Sequence, residues 1–158
     1  MQNLVISRAD SPSDLAAVRL LFRAYAASLP ISLDYQGFDT ELTALPGKYG
    51  PPSGALLLAR NSAGEAVACA ALRPLAPPLV CEMKRLYVSP AGRGAGLGRK
   101  LAEEVIRLAR ETGYSLLRLD TLPTMTDAHR LYESLGFTVT APYYEGAAPG
   151  TVFMELKL

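Results

Sequence analysis

The amino-acid sequence predicts an α/β (α+β) fold, a central sheet with helices on both faces. Three observations carry that reading. Apolar runs too short for helices alternate with stretches of helical periodicity. Their order is mixed, with one helix crossover near the centre of the chain. The 158 residues, 49% apolar and 20% charged, suit one continuous core of ordinary composition. No repeat, low-complexity tract or linker interrupts them, so residues 1–158 are expected to form one domain.

Leu4-Val5-Ile6 reads as a first strand. Ser11-Pro12-Ser13-Asp14 opens a helix, with serine as the cap, proline at the first helical position and an acid in the first turn. Leu15, Val18, Phe22, Tyr25 and Leu29 give that helix one buried face, and Pro30 ends it. A shorter helix is expected around Phe38 to Leu45, followed by a loop rich in proline and glycine from Pro46 to Pro52. Ala55–Ala59 and Ala66–Leu72 flank the turn at Asn61-Ser62-Ala63-Gly64 and read as an antiparallel hairpin. Past the Pro74 to Pro78 loop, Val80 to Val88 is a further strand. Gly96 to Thr112 is helical, with Leu97, Leu101, Val105 and Leu108 facing inward and Gly113 as the C-terminal cap. Leu116–Asp120 is a strand, about Asp127 to Leu135 a helix closed by Gly136, and Phe137–Thr140 and Thr151–Leu158 are the last strands.

Sixteen basic against fifteen acidic residues leave a formal charge of +1. So small a net charge does not collect nucleic acid or an anionic membrane surface, and neither is an expected partner. No apolar run approaches the roughly 18–20 residues that cross a bilayer, and Met1 to Ser7 lacks the basic start and apolar stretch of a secretory signal. Cys69 and Cys81 each lie in an apolar stretch, where buried packing is expected rather than a disulfide or a nucleophile. A reduced, cytoplasmic setting follows from that usage.

The segment Arg93-Gly94-Ala95-Gly96-Leu97-Gly98 stands between a strand and a long helix. Three glycines at a helix start are costly unless backbone must approach something closely. Without side chains they expose consecutive N–H groups, and the helix terminus adds partial positive charge, which together suit a phosphate or pyrophosphate. Arg93 and Arg99 bracket the turn and can add charge-assisted hydrogen bonds. Two other phosphate loops fail on spacing. The dinucleotide pattern G-x-G-x-x-G meets Arg99 where its third glycine belongs, and the G-x-x-x-x-G-K-[ST] pattern, counted from Gly92 or Gly94, meets Leu97 or Arg99.

R/Q-x-x-G-x-G/A does fit, through Arg93, Gly96 and Gly98, and here the chain resembles the GNAT superfamily of N-acetyltransferases. Leu86-Tyr87-Val88-Ser89-Pro90 looks like the strand that precedes this loop in the family. Ala128-His129-Arg130-Leu131-Tyr132-Glu133-Ser134-Leu135-Gly136-Phe137 resembles its second signature, A-x-x-L-Y-x-x-x-G-F. The resemblance implies a mixed, mostly antiparallel sheet of about six to seven strands. It also implies acetyl-CoA as cosubstrate, with no metal, and acetyl transfer to a primary amine of a small molecule, amino acid or peptide by direct attack in a ternary complex. A CoA-binding sensor without turnover and a protein lysine or N-terminal acetyltransferase are the alternatives. A homodimer is carried over by analogy alone.

By the same resemblance, the backbone of Arg93, Gly94, Ala95, Gly96 and Gly98, with Arg99, binds the pyrophosphate of CoA. Leu86, Tyr87 and Val88 accompany the pantetheine arm. Tyr132 matches the tyrosine that often serves the departing thiolate as an acid; an amphipathic edge residue is the plainer alternative. Many relatives carry asparagine where this chain has Met125. Glu82 is the candidate base, eleven residues before Arg93 as in histone-acetylating members. Strict alternation puts Glu82 and Lys84 on the face of Leu86 and Val88, where charge is expensive without a partner, a cavity or a β-bulge. An ion pair between Glu82 and Lys84 or Arg85 would explain it equally well. Lys84 and Arg85 would favour an acceptor with a carboxylate. Glu82 and Asp120 would favour a polyamine or a protein lysine, and Asp120 would serve equally as a turn cap. Tyr143 and Tyr144 sit in a proline- and glycine-bounded loop expected to wall the acceptor pocket.

Overall fold

Antiparallel pairing builds most of the sheet, and the one parallel step falls where the predicted helix crossover lies. The computed structural model describes residues 3–33 and 37–158. The elements are β1 (Val5–Arg8), α1 (Pro12–Ser28), α2 (Phe38–Ala44), β2 (Ala55–Arg60), β3 (Ala66–Pro74), β4 (Val80–Val88), α3 (Leu97–Thr112), β5 (Leu116–Thr121), α4 (Thr126–Ser134), β6 (Thr138–Thr140) and β7 (Val152–Lys157). They form a seven-stranded sheet of order β1-β2-β3-β4-β5-β7-β6. Its pairs are antiparallel except β4 with β5, which α3 connects.

Local chemistry explains the helix ends. The Ser11 hydroxyl accepts from the Asp14 N–H at 3.1 Å, while the Asp14 carboxylate accepts from the Ser11 N–H, a reciprocal cap on α1 worth about 0.5–2 kcal/mol. Helix α1 stops at Ser28, two residues before Pro30. At the far end of α3, Gly113 turns left-handed at φ +99°, and its N–H closes on the carbonyls of Ala109 and Arg110.

The sheet separates two apolar layers. Leu57, Leu72, Cys81, Met83, Leu117, Leu119 and Met154 pack under Leu97, Leu101, Val105 and Leu108 of α3 and Tyr132 of α4. Leu56, Leu58, Cys69 and Ala71 pack against Val18, Leu21 and Phe22 of α1 and Phe38 and Leu42 of α2. Cys69 and Cys81 thus face opposite layers, both fully buried. Burial, helped by the nearby Glu82 charge, pushes the Cys81 thiol up to about 12, so it is not a nucleophile near neutrality.

The strict alternation expected along β4 does not hold. Between β3 and β4 the register runs from Ala71 opposite Lys84 to Cys69 opposite Tyr87, so β4 carries one residue more than its partner. The excess is absorbed at Arg85, whose φ of +59° lies in the left-handed region that non-glycine residues seldom enter. One extra residue reverses the parity. Leu86 and Val88 pack into the α3 layer and Tyr87 into the α1 layer. Glu82 and Lys84, alternating with Cys81 and Met83, stand on the opposite face from Leu86 and Val88.

Candidate active site

Two features that a folded protein normally closes are left open at one end of the sheet. The first is the start of α3. Gly94 and Gly96 adopt φ of +88° and +70°, and no side chain caps the helix that Gly96 begins. Among the described residues, no hydrogen bond outside the helix uses the N–H of Gly94, Ala95, Gly96, Leu97 or Gly98. Arg93, Gly94, Gly96 and Arg99 are exposed around them. These are uncapped, outward-facing donors with guanidinium groups alongside, and they fit a diphosphate. Arg93 also reaches back to the Val88 carbonyl, and Arg99 donates to the Ser134 hydroxyl, which ties α3 to α4.

The second open feature is a fork. β4 and β5 pair only through Val80, Cys81 and Glu82 with Leu116, Leu117 and Arg118. Beyond that point the strands part, and a cavity fills the gap between Met83–Leu86 of β4 and Leu119–Thr121 of β5. Tyr25 of α1 and Leu29, just past its end, line the cavity together with Met125 and Tyr132. Tyr132, the one buried side chain of α4, packs its ring 5.7 Å from Phe137, and its hydroxyl makes no hydrogen bond among the described residues. Burial holds its phenol well above the usual value, so it carries its proton at neutral pH. The Thr121 hydroxyl, also on the cavity wall, is buried without a partner among the described residues. Orphaned polar atoms of this kind are uncommon in the absence of a ligand or ordered water.

Charged side chains gather on the α1 face of the fork, and most are held by neighbours. Arg85 makes a two-pronged contact with Glu41 of α2, each bond 3.0 Å, and lies 5.3 Å from the Phe38 ring centre. The Tyr49 hydroxyl donates to the same Glu41 at 2.9 Å. Glu82 is fully buried with both oxygens engaged: Arg73 donates to one at 2.8 Å and the Tyr143 hydroxyl to the other. The Tyr144 hydroxyl donates to Oδ2 of Asp120, whose Oδ1 stands 3.6 Å from Lys84 Nζ. Burial lowers the pKa of Lys84, against the opposing pull of Glu82 and Asp120.

Lys84, Arg85, Leu86, Asp120 and Tyr132 are therefore brought around one cavity. Glu82, Tyr143 and Tyr144 are not among its lining; with Arg73 and Arg118 they border a second pocket on the same face. There Tyr143 and Tyr144 pack edge-on against Phe153, and Arg118 lies over the Tyr143 ring. Asp120 does not cap a turn: its Oδ2 accepts from Tyr144, and its Oδ1 faces Lys84 at 3.6 Å. Met125 lies at the start of α4 without capping it and lines the cavity.

Sequence reasoning missed Glu41, Tyr49, Arg73 and Thr121. Arg73 had a signal, a charge closing an apolar strand run. Glu41 lies in an ordinary polar helical turn and Thr121 is a common strand residue, so neither stood out. Among the described residues no group of three or more His, Cys, Asp or Glu could hold a metal ion, and no helix is long and apolar enough to cross a membrane.

A family model described as the acetyltransferase (GNAT) family matches residues 18–137. An uncharacterised N-acetyltransferase of Schizosaccharomyces pombe is 43% identical over 156 residues, spanning 99% of this chain and 96% of its own. An acetyltransferase of the GNAT family from Staphylococcus aureus superposes with a TM-score of 0.81 over 98% of this chain and 99% of its own, at 19% identity, a likeness of fold. A Salmonella typhimurium protein solved with its cofactor acetyl-CoA superposes with a TM-score of 0.71 over 98% and 94% of the two chains, at 25% identity.

Proposed function

Because the chain belongs to the GNAT acetyltransferase family, we propose that it moves an acetyl group from acetyl-CoA to the primary amine of a small molecule, amino acid or peptide within a ternary complex. The fork between β4 and β5 carries the proposal. It leaves the strand edge at Leu86–Val88 without a β5 partner and sets Tyr132 against the gap. Bound acetyl-CoA supplies an acyl carbon activated as a thioester.

The chain's own residues divide the remaining work. The N–H groups of Gly94 to Gly98, with Arg93 and Arg99, hold the diphosphate against the dipole of α3. The backbone of Leu86, Tyr87 and Val88 aligns the extended arm as a further strand would. In the transfer, a nitrogen–carbon bond forms and the carbon–sulfur bond breaks; the amine gives up a proton and the sulfur must be stabilised or protonated. Tyr132, neutral and facing the cavity, donates to the departing sulfur. Glu82 receives the amine's proton from the adjoining pocket, which requires Arg73 or Tyr143 to release one of its oxygens.

Release of CoA, followed with acetyl-CoA and a panel of amines, amino acids and peptides alongside calorimetry with CoA, tests the reading. Turnover with a member of the panel is expected. A tight CoA site with no turnover across the panel would recast the protein as a sensor, and no CoA site would end the proposal.

A further inference from the structure

Within the cavity, most charges are neutralised by hydrogen-bonded neighbours and one is not. The Lys84 side chain is 5% exposed, yet among the described residues it makes no hydrogen bond. Its ion-pair partner, Asp120 Oδ1, stands at 3.6 Å, beyond hydrogen-bonding reach. An ammonium group has three donors, and leaving them unmet in the interior is costly. The neighbouring carboxylates are engaged by other donors. Glu82 is committed to Arg73 and Tyr143, Glu41 to Arg85 and Tyr49, and the second oxygen of Asp120 to Tyr144. What remains in the cavity is a slightly opened pair of opposite charges, Lys84 Nζ and Asp120 Oδ1, on the strands that flank the fork.

We propose that Lys84 and Asp120 form a recognition site for the zwitterionic head of a free α-amino acid, Lys84 taking the carboxylate and Asp120 Oδ1 the amino group that is to be acetylated. The assignment rests on the acetyl-transfer reading and narrows its substrate class. A simple cationic amine would satisfy Asp120 and leave Lys84 with unmet donors and a second positive charge close by. A simple anion would satisfy Lys84 and crowd Asp120. A dianion such as phosphate would add an uncompensated negative charge beside both Asp120 and Glu82. A group carrying both signs close together answers both partners, and an α-amino acid carries its ammonium and carboxylate on one carbon. Tyr132 lines the same cavity, so an amino group on Asp120 would lie at the end of the fork where acyl transfer is proposed.

The test uses the full chain saturated with CoA or acetyl-CoA. Amino acids, their carboxamides and the corresponding decarboxylated amines are compared for binding by calorimetry and for turnover by CoA release. At least one amino acid is expected to exceed its carboxamide and its amine by about 10- to 100-fold in kcat/KM, the scale of a charge-assisted hydrogen bond. Lys84→Met is expected to erase that preference through KM while leaving CoA affinity unchanged, and Lys84→Arg to restore part of it. The wild-type comparison stands even if Lys84→Met does not fold. Carboxamides or amines that match the acids, or a Lys84→Met loss shared equally by acids and amides, would overturn the assignment. So would CoA binding with no amino acid accepted, although acyl-donor binding would stand. Absence of CoA binding would remove the acetyl-transfer reading itself.

Discussion

At the scale of single residues, burial sets the protonation state of Tyr132. An enclosed phenol above its usual pKa keeps its proton and faces the cavity as a donor. Tyr132→Phe is therefore expected to lower kcat by about 10²-fold, the low end for removal of a general acid, with little change in the KM for acetyl-CoA; steady-state kinetics reads both. An equal change in the two would reduce Tyr132 to a packing residue. Glu82 poses the converse problem, a carboxylate whose oxygens are both committed. With Glu82 as the proton acceptor, Glu82→Gln should remove the acidic limb of the pH–rate profile. A limb that survives would pass the role to Asp120 or water and leave Glu82 as the clamp between Arg73 and Tyr143. The choice of residue types was visible in the sequence, since Glu82 and Lys84 break an apolar strand pattern. Their partners were not, because Glu41, Arg73 and Tyr143 lie 41, 9 and 61 residues away from Glu82 and meet it or Arg85 only across the folded sheet.

At the scale of elements, the start of α3 differs from its end in its proposed role but not in its left-handed backbone region. Gly96 and Gly113 are both left-handed, at φ +70° and +99°, and a Cβ at either would meet nothing within 4 Å. Valine at Gly96 thus costs about 1–2 kcal/mol of backbone strain and turns the donors away from the proposed diphosphate. Gly96→Val is expected to weaken CoA binding by at least tenfold in calorimetry, whereas Gly113→Val, also at a left-handed position, should lower stability and leave CoA affinity unchanged. Comparable losses from both would detach the loop from the cofactor. This loop was readable from its glycine spacing because backbone exposure is a local property. The bulge in β4 was readable only as one of several explanations for charge at Glu82 and Lys84, because its position at Arg85 becomes evident only in the register against β3.

At the scale of the whole molecule, the sheet carries separate duties on its two faces. One holds the continuous α3 layer. The other gives up apolar packing beside the fork to a group of ion pairs and tyrosines. Ties between distant segments secure the rest, among them Arg60 of β2 with Asp14 of α1 at 2.7 Å. The Arg60 guanidinium holds the Asp14 carboxyl below its ordinary value, and that has a definite pH signature. A depressed folded pKa contributes stability that is complete above the unfolded value of about 4 and lost as pH falls through the folded value. Asp14→Asn should therefore flatten the fall of unfolding free energy below about pH 4 in urea titrations. An unchanged acid slope would mean that the pair contributes little, as exposed pairs often do.

The sequence by itself determined the order of the elements, the caps of α1 and α3, and the glycine-framed start of α3 proposed to bind an anion, because each depends on residues within a few positions of one another. The tertiary structure decided where β4 and β5 part, which face Glu82 and Lys84 occupy, and which charges are already satisfied. Those are relations between strands and helices far apart in the chain. One extra residue in β4, whose position local periodicity does not give, inverts the faces on either side of it.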